Sequence, residues 1–299
     1  ELAGTAQNLE LSPQFREMVP VELASELDRL GSLRTRSSFE FAASYDVDRA
    51  EHLDFELHGN VVDGLLDDER LPSPMTNIRA EIRANSDGFQ VHNLTGRVGD
   101  ADVWFSLEYR GTREHGSWAA IGGGRGLRMD AEMLEFLPAG LRDAAAQFNP
   151  RGTIDVAFKF PAQPDEPQEL TITCFDVEFA YDPFPYHVER TSGNVRVVGE
   201  ETRIELTGHG GGQPLSITGS LNGFGDALRA DIIVRGSGVE IDRNLLEALS
   251  GESKRVVASF RPTGTADVFG RFWHEPTGQY HQMFDLHWHD GTMRFEAFP

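Results

Sequence analysis

The sequence has one cysteine, few cations and no long apolar run. Cys174 is the single cysteine among 299 residues, which excludes a disulfide scaffold and a cysteine-rich zinc module. Lysine and arginine number 27 against 48 aspartates and glutamates, so the formal net charge of -21 disfavours nucleic acid as a partner. No apolar run reaches the roughly 18–20 residues that a transmembrane helix needs.

The apolar content is nevertheless that of a folded protein, and the sequence repeats. Hydrophobic residues make up 39% and aromatic residues 10% of the chain, too much for a disordered acidic protein. The segment Gly152–Val156 returns as Gly264–Val268, and Leu94–Gly96 returns as Leu206–Gly208, both at an offset of 112 residues. A repeat of this length indicates an array of similar structural units.

The repeat predicts three ranges within one continuous elongated domain. Residues 1–70 would be the C-terminal part of a preceding unit, 71–183 a full unit, and 184–299 a second unit with the start of the next. Since the chain begins within a unit, we expect it to be a fragment of a longer array.

Alternating apolar and polar residues predict a mainly β structure. Such alternation is the pattern of strands with one face buried and one face in water. We expect about seven antiparallel strands in each unit, which form either a curled trough or a sandwich. The alternation breaks at three equivalent places, where we expect hairpin turns: Gly59-Asn60, Phe175-Asp176 and Asp290-Gly291.

Each unit also has one helical pattern, which an aspartate can cap. Asp130 precedes the pattern of Ala131–Phe148, and Asp242 precedes that of Arg243–Phe260. Both helices should be short and broken, because a helix-breaking residue lies inside each pattern. The expected breaks are at Pro138 and Gly251.

The order of these motifs resembles the AsmA-like superfamily of bacterial envelope proteins, which includes AsmA, TamB and YhdP. Strands ending in Leu-Pro or Phe-Pro are followed by Leu-Thr-Gly, then by Leu-x-Met-Asp or Val-x-Ile-Asp, a Leu-rich helix and a Pro-x-Gly-x-x-Asp turn. The resemblance covers nearly the whole chain. It implies an elongated, curved antiparallel sheet with an apolar groove and one short broken helix per repeat.

The resemblance also implies a function and a location. Such proteins are periplasmic, with an inner-membrane anchor that would lie outside this chain. They move phospholipid between membranes and serve outer-membrane biogenesis, so the implied partners are phospholipid or another lipid and membrane proteins at the ends of the array. A β-sandwich repeat that acts as an envelope scaffold or adhesive spacer stays the alternative.

The groove would be lined by the inward residues of the alternating strands. The same residues would also suit an ordinary closed core, because alternation does not say whether the apolar face is covered. The candidate residues are Val103, Phe105, Leu107, Phe158, Phe160, Ile172, Cys174, Ile217, Phe272, Leu286 and Trp288.

Other motifs give no catalytic site, metal site or cofactor site. His287 and His289 share one strand face, but no third ligand has a suitable spacing, so we expect no metal. The glycines of 122–126 and 208–212 match no phosphate-binding motif and should mark bulges and turns. Asp155 and Asp267 recur in both units, which favours a structural role. We expect a protein that is not an enzyme and uses no cofactor.

Overall fold

A computed structural model of the chain describes residues 1–11, 33–45, 53–69, 71–111, 116–135, 142, 145–182, 184–223, 227–249, 251–275 and 277–294. These residues contain fifteen strands, which form one sheet in which each strand lies beside its neighbour in the sequence, from β1 to β15. This confirms the mainly β prediction, since consecutive alternating segments pair as antiparallel neighbours.

The strands are 10 to 15 residues long, and the helices are short. No helix among the described residues is long and apolar enough to cross a membrane. The strands are β1 Leu2–Leu11, β2 Leu33–Tyr45, β3 Leu53–Leu66, β4 Met75–Asn85, β5 Gly88–Val98, β6 Ala101–Gly111, β7 Gly116–Met129, β8 Arg151–Phe160, β9 Glu169–Tyr181, β10 Phe184–Val198, β11 Glu201–Gly210, β12 Gln213–Asn222, β13 Arg229–Glu240, β14 Thr265–His274 and β15 Tyr280–His289. The helices whose bounds fall within the described residues are α1 Ala131–Glu135, α2 Arg243–Ala248 and α3 Gly251–Phe260.

The chain falls into two compact units. Unit 1 consists of Glu1–Leu127 and Val156–Gln168, and unit 2 consists of Arg128–Asp155 and Glu169–Pro299. The boundaries of these units differ from those of the predicted repeat ranges 1–70, 71–183 and 184–299, so the repeat ranges stay a prediction.

Two of the predicted hairpins are wrong. Gly59-Asn60 and Phe175-Asp176 lie inside the single strands β3 and β9. Each strand instead has a bulge residue with positive φ, Asp63 at 53° and Asp176 at 55°. A bulge inserts one residue and so reverses the apolar alternation without turning the chain. The described parts of the ranges 71–183 and 184–299 accordingly hold six strands each, where about seven were expected.

The third predicted hairpin, Asp290-Gly291, follows directly on the end of β15. Residues 291–294 form no strand, so the described part of the chain contains no second arm for this hairpin.

Unusual backbone angles recur at the period of the sequence repeat. Gly126 and Gly238 have φ of 70° and 63°, and Asn149 and Arg261 have φ of 42° and 40°. Both pairs are 112 residues apart. The local turn geometry therefore repeats along with the sequence that specifies it.

The helix caps and one helix break are as predicted. Asp130 Oδ1 accepts a hydrogen bond from the Met133 amide at 2.9 Å, and Asp242 Oδ1 accepts one from the Leu245 amide at 2.8 Å. Gly251, with φ 57°, begins a new helix three residues after Ala248. The break expected at Pro138 lies outside the described residues.

Candidate functional site

In unit 1 the strand register gathers apolar side chains on one side of the sheet, here called the apolar face. Residues directly opposite each other on antiparallel strands point to the same side. One such row crosses β2 to β7 without a polar member, and a second row lies parallel to it. The first consists of Phe39, Gly59, Ile82, Val91, Leu107 and Ala120; the second consists of Phe41, Leu57, Ala84, Phe89, Tyr109 and Trp118.

The row between these two points to the opposite side and is polar. It runs through Glu40, His58, Arg83, Gln90 and Glu108. Arg83 Nη2 and His58 Nε2 lie 2.6 and 3.0 Å from Oε1 of Glu81, and these hydrogen bonds, that of Arg83 foremost, hold the pKa of Glu81 below its ordinary value. The sheet therefore has one wet, charged side and one apolar side.

Aromatic rings on the apolar face lie over glycines of neighbouring strands. A Cβ atom placed on Gly122 would meet Phe158 Cζ at 2.7 Å, and one on Gly59 would meet Phe39 Cδ1 at 2.2 Å. The Phe105 and Phe158 rings are 6.3 Å apart beside Gly122. Gly122 thus makes room for a ring inside β7, where the sequence suggested bulges or turns. Gly126, with φ 70°, has the left-handed backbone that a bulge or turn residue adopts.

The glycines of 208–212 have the predicted role only in part. Gly211 and Gly212, with φ of 57° and 79°, form the turn between β11 and β12. Gly210 lies inside β11, where the Tyr186 ring would meet an added Cβ at 2.4 Å.

In unit 2 the candidate residues of the sheet also share one side. A row of small and apolar residues crosses β9 to β15, and Ile172, Phe272 and Leu286 lie in adjacent rows of the same side. The exposed fraction varies widely: Cys174 and Ile217 are buried, whereas 46% of Leu286 and 38% of Trp288 are exposed. The row consists of Cys174, Gly193, Leu206, Ile217, Val234, Gly270 and Phe284.

The sheet of unit 2 curls strongly. Phe184 on β10 and Phe284 on β15 have ring centroids 5.5 Å apart. Five strand spacings separate β10 from β15, about 24 Å in a flat sheet. The contact therefore requires that the sheet bend back on itself, which the β9 and β10 bulges at Asp176 and Arg190 permit.

This curl closes part of the apolar face of unit 2 into a core. Tyr186 and Val188 from β10 pack with Leu215 from β12 and with Leu245 and Ala248 from α2. At this end of the unit the closed-core interpretation of the sequence holds. Unit 1 has a smaller core, built on Val61, Met75 and Ile78.

Tyr186 places a hydroxyl group in the core of unit 2, without a hydrogen-bond partner in the described part of the chain. The residue is buried, and its Oη has no hydrogen-bond partner among the described residues. Burial, followed by the charges of Asp242 and Glu240, raises the pKa of Tyr186 to about 12. Tyr186→Phe removes the unsatisfied hydroxyl, so we expect it to raise the free energy of unfolding by about 1 kcal/mol. Urea titrations should show this gain, with the exposed Tyr280→Phe as an unchanged control; a loss of stability would contradict it.

Cys174 has the environment of a core residue. It is buried in the apolar row, and burial raises the pKa of its thiol. Because the thiolate is the reactive form, we expect iodoacetamide to modify Cys174 at least about tenfold more slowly in the native protein than in urea. Equal rates in the two conditions would show that this part of the face is open to solvent.

The histidines of β15 have a carboxylate neighbour that the sequence analysis missed. His289 Nε2 lies 3.0 Å from Asp267 Oδ2, while Asp267 Oδ1 accepts the Gly238 amide at 2.9 Å. These contacts, that of His289 foremost, lower the pKa of Asp267. The structural role predicted for Asp267 is confirmed. Across the described ranges no group of three or more His, Cys, Asp or Glu side chains could hold a metal ion.

The structure adds aromatic residues that the sequence analysis did not select. The rings of Phe89 and Tyr109 stack with their centroids 5.6 Å apart, and the ring centroids of Trp118 and Phe160 are 5.8 Å apart. Of these, only Phe160 was a candidate. The alternation of β5 and β6 marked Phe89 and Tyr109 as strand residues, whereas Trp118 on β7 was not singled out. The contiguity of these side chains depends on a register that spans several strands.

Comparison with known proteins adds no identity to this geometry. No family model matches the chain, and no curated protein or solved structure matches it.

Proposed function

We propose that the apolar face binds the acyl chains of phospholipid, and that the chain is a non-enzymatic segment of an envelope protein that moves lipid between membranes. The observation that carries this proposal is the pair of uninterrupted apolar rows across β2 to β7 of unit 1. The resemblance to AsmA-like proteins supplies the envelope setting, the periplasmic location, the membrane anchor and the membrane-protein partners.

The dimensions of the rows support acyl-chain binding. Six strands at about 4.8 Å spacing give rows about 24 Å long. An acyl chain spans half of a bilayer core of about 30 Å, so a row is long enough to hold one chain lying across the strands. Because transfer of an apolar chain needs a surface without charged interruptions, the absence of charged residues from both rows matters more than their total area.

A β-sandwich scaffold or spacer is the second candidate function. The closed core of unit 2 favours it, because Tyr186, Val188, Leu215 and Leu245 bury one another as in a self-contained domain. A spacer needs no accessible apolar face.

Lipid analysis of the purified protein separates the two functions. The protein is purified from a cell lysate without detergent, and its lipids are extracted. Mass spectrometry of the extract should then reveal phospholipid at a fixed ratio to protein. A lipid-free protein that also fails to take up phosphatidylcholine from vesicles would overturn the lipid proposal and leave the spacer function.

A further inference from the structure

One edge of the apolar face in unit 1 carries exposed aromatic side chains, here called the aromatic rim. The exposed fractions are 65% for Tyr45, 51% for Trp118, 41% for Phe89 and 37% for Phe55. These are high values for aromatic residues, which usually bury most of their surface. The rim consists of Phe41, Tyr45, Phe55, Phe89, Tyr109, Trp118 and Phe160.

The rim residues belong to one edge of the sheet because the strands are antiparallel. Tyr45 ends β2, Phe55 lies near the start of β3, and Phe89 lies at the start of β5. Tyr109 and Trp118 face each other near the end of β6 and the start of β7. Toward the other ends of these strands, the apolar face is buried by the core of Val61, Met75 and Ile78. The rim is therefore the accessible side of the face in unit 1.

Charge around the rim selects among lipid surfaces. The carboxylates Asp54 and Glu56 alternate with Phe55 on β3 and project from the charged side of the same edge, and Asp87 lies in the turn beside Phe89. Two guanidinium groups among the described residues of these strands are paired: Arg83 lies 2.6 Å from Glu81, and Arg110 contacts Glu108. Carboxylates close to the rim repel anionic lipids and tolerate zwitterionic head groups.

We propose that the aromatic rim docks on the surface of a zwitterionic phospholipid bilayer. Tryptophan and tyrosine favour the boundary between head groups and acyl chains, because their rings are apolar and their N–H or O–H groups remain hydrated. Since the rim is the edge of the apolar face, docking places the face next to the acyl chains that it would accept. This inference rests on the proposed lipid-binding function.

Flotation with phosphatidylcholine vesicles tests the docking. The variant Tyr45→Ser/Phe55→Ser removes two exposed rim side chains that lie outside the two apolar rows, and Trp104→Ser/Ile121→Ser is its matched control. Trp104 and Ile121 lie on β6 and β7, point to the opposite side and are 37% and 46% exposed.

We expect the wild-type protein and the control to float with the vesicles and the rim variant to lose binding by about tenfold or more. Replacing part of the phosphatidylcholine with phosphatidylglycerol should weaken binding. The proposal is overturned if the wild type does not float, if both double variants lose binding equally, or if phosphatidylglycerol strengthens it.

Two further measurements separate folding and lipid binding from docking. Brominated phosphatidylcholine should quench less tryptophan fluorescence in the variant Trp118→Phe than in the variant Trp104→Phe. Equal quenching in the two variants would overturn the proposal, and this test does not depend on whether the serine variants fold. A short-chain fluorescent phosphatidylcholine below its micelle concentration probes the apolar face alone. If the rim variant binds this probe normally but does not float, docking and lipid binding are both supported as separate properties. If the wild type floats but does not bind the probe, the proposed function fails and the docking stands.

Discussion

Replacing Phe105 by glutamate is expected to remove most of the bound lipid while the protein stays folded. Phe105 is half-buried on the apolar face, beside Phe158 and across from Gly122. An ionised carboxylate there would have to lose its hydration when an acyl chain covers it, at a cost of several kcal/mol. Because about 1.4 kcal/mol corresponds to a tenfold change in an equilibrium constant, we expect at least a tenfold loss of lipid.

The neighbouring substitution Trp104→Glu is the control. Trp104 precedes Phe105 on β6 and points to the charged side of the sheet, where it is 37% exposed. A carboxylate there stays hydrated, so the lipid-to-protein ratio should be that of the wild type. The ratio is measured by extraction and mass spectrometry, and thermal unfolding reports the fold. If Phe105→Glu unfolds the protein, and Phe105→Ser keeps the fold and all of its lipid, the face is a closed core.

Substituting alanine for Gly193 should destabilise unit 2 strongly. Gly193 on β10 has φ 132° and stands across from both Cys174 and Leu206. Its added Cβ would approach the Glu205 carbonyl oxygen to 2.2 Å, and a backbone atom can move away only if the strand pairing shifts. We expect a loss of about 3 kcal/mol or more in the free energy of unfolding.

Gly212→Ala separates the backbone strain from the steric clash. Gly212 also has positive φ, at 79°, but an added Cβ would meet no atom within 4 Å. Its substitution should cost only the left-handed penalty of about 1–2 kcal/mol. Equal unfolding midpoints of the two variants in urea would mean that the β10–β11 pairing is looser than the structure indicates.

Alternation predicted which residues lie on the apolar face because it is a local property of a strand. Val103, Phe105 and Leu107 alternate within β6 and do share a side of the sheet. The caps at Asp130 and Asp242 were equally predictable, since a capping side chain bonds an amide three residues away.

The sequence-based predictions failed where the structure depends on interactions between residues that are distant in the sequence. The break in alternation near Asp176 fits a hairpin and a bulge equally well, and the pairing of β9 with β10 decides for the bulge. The contact of Phe184 with Phe284 depends on twist accumulated over five strands, which no single segment encodes. The rim is contiguous for the same reason, because Phe89, Tyr109 and Trp118 come together through successive registers.

The most direct measurement of lipid binding is photo-crosslinking with a phosphatidylcholine that carries a photoreactive group on its acyl chain. Peptide mass spectrometry then maps each adduct to a residue. Binding to the apolar face predicts adducts at Phe41, Leu57, Phe89, Leu107 and Phe105, with none at the opposite-facing Trp104 and Ile121. Adducts spread over both sides of the sheet, or no adducts at all, would contradict the account.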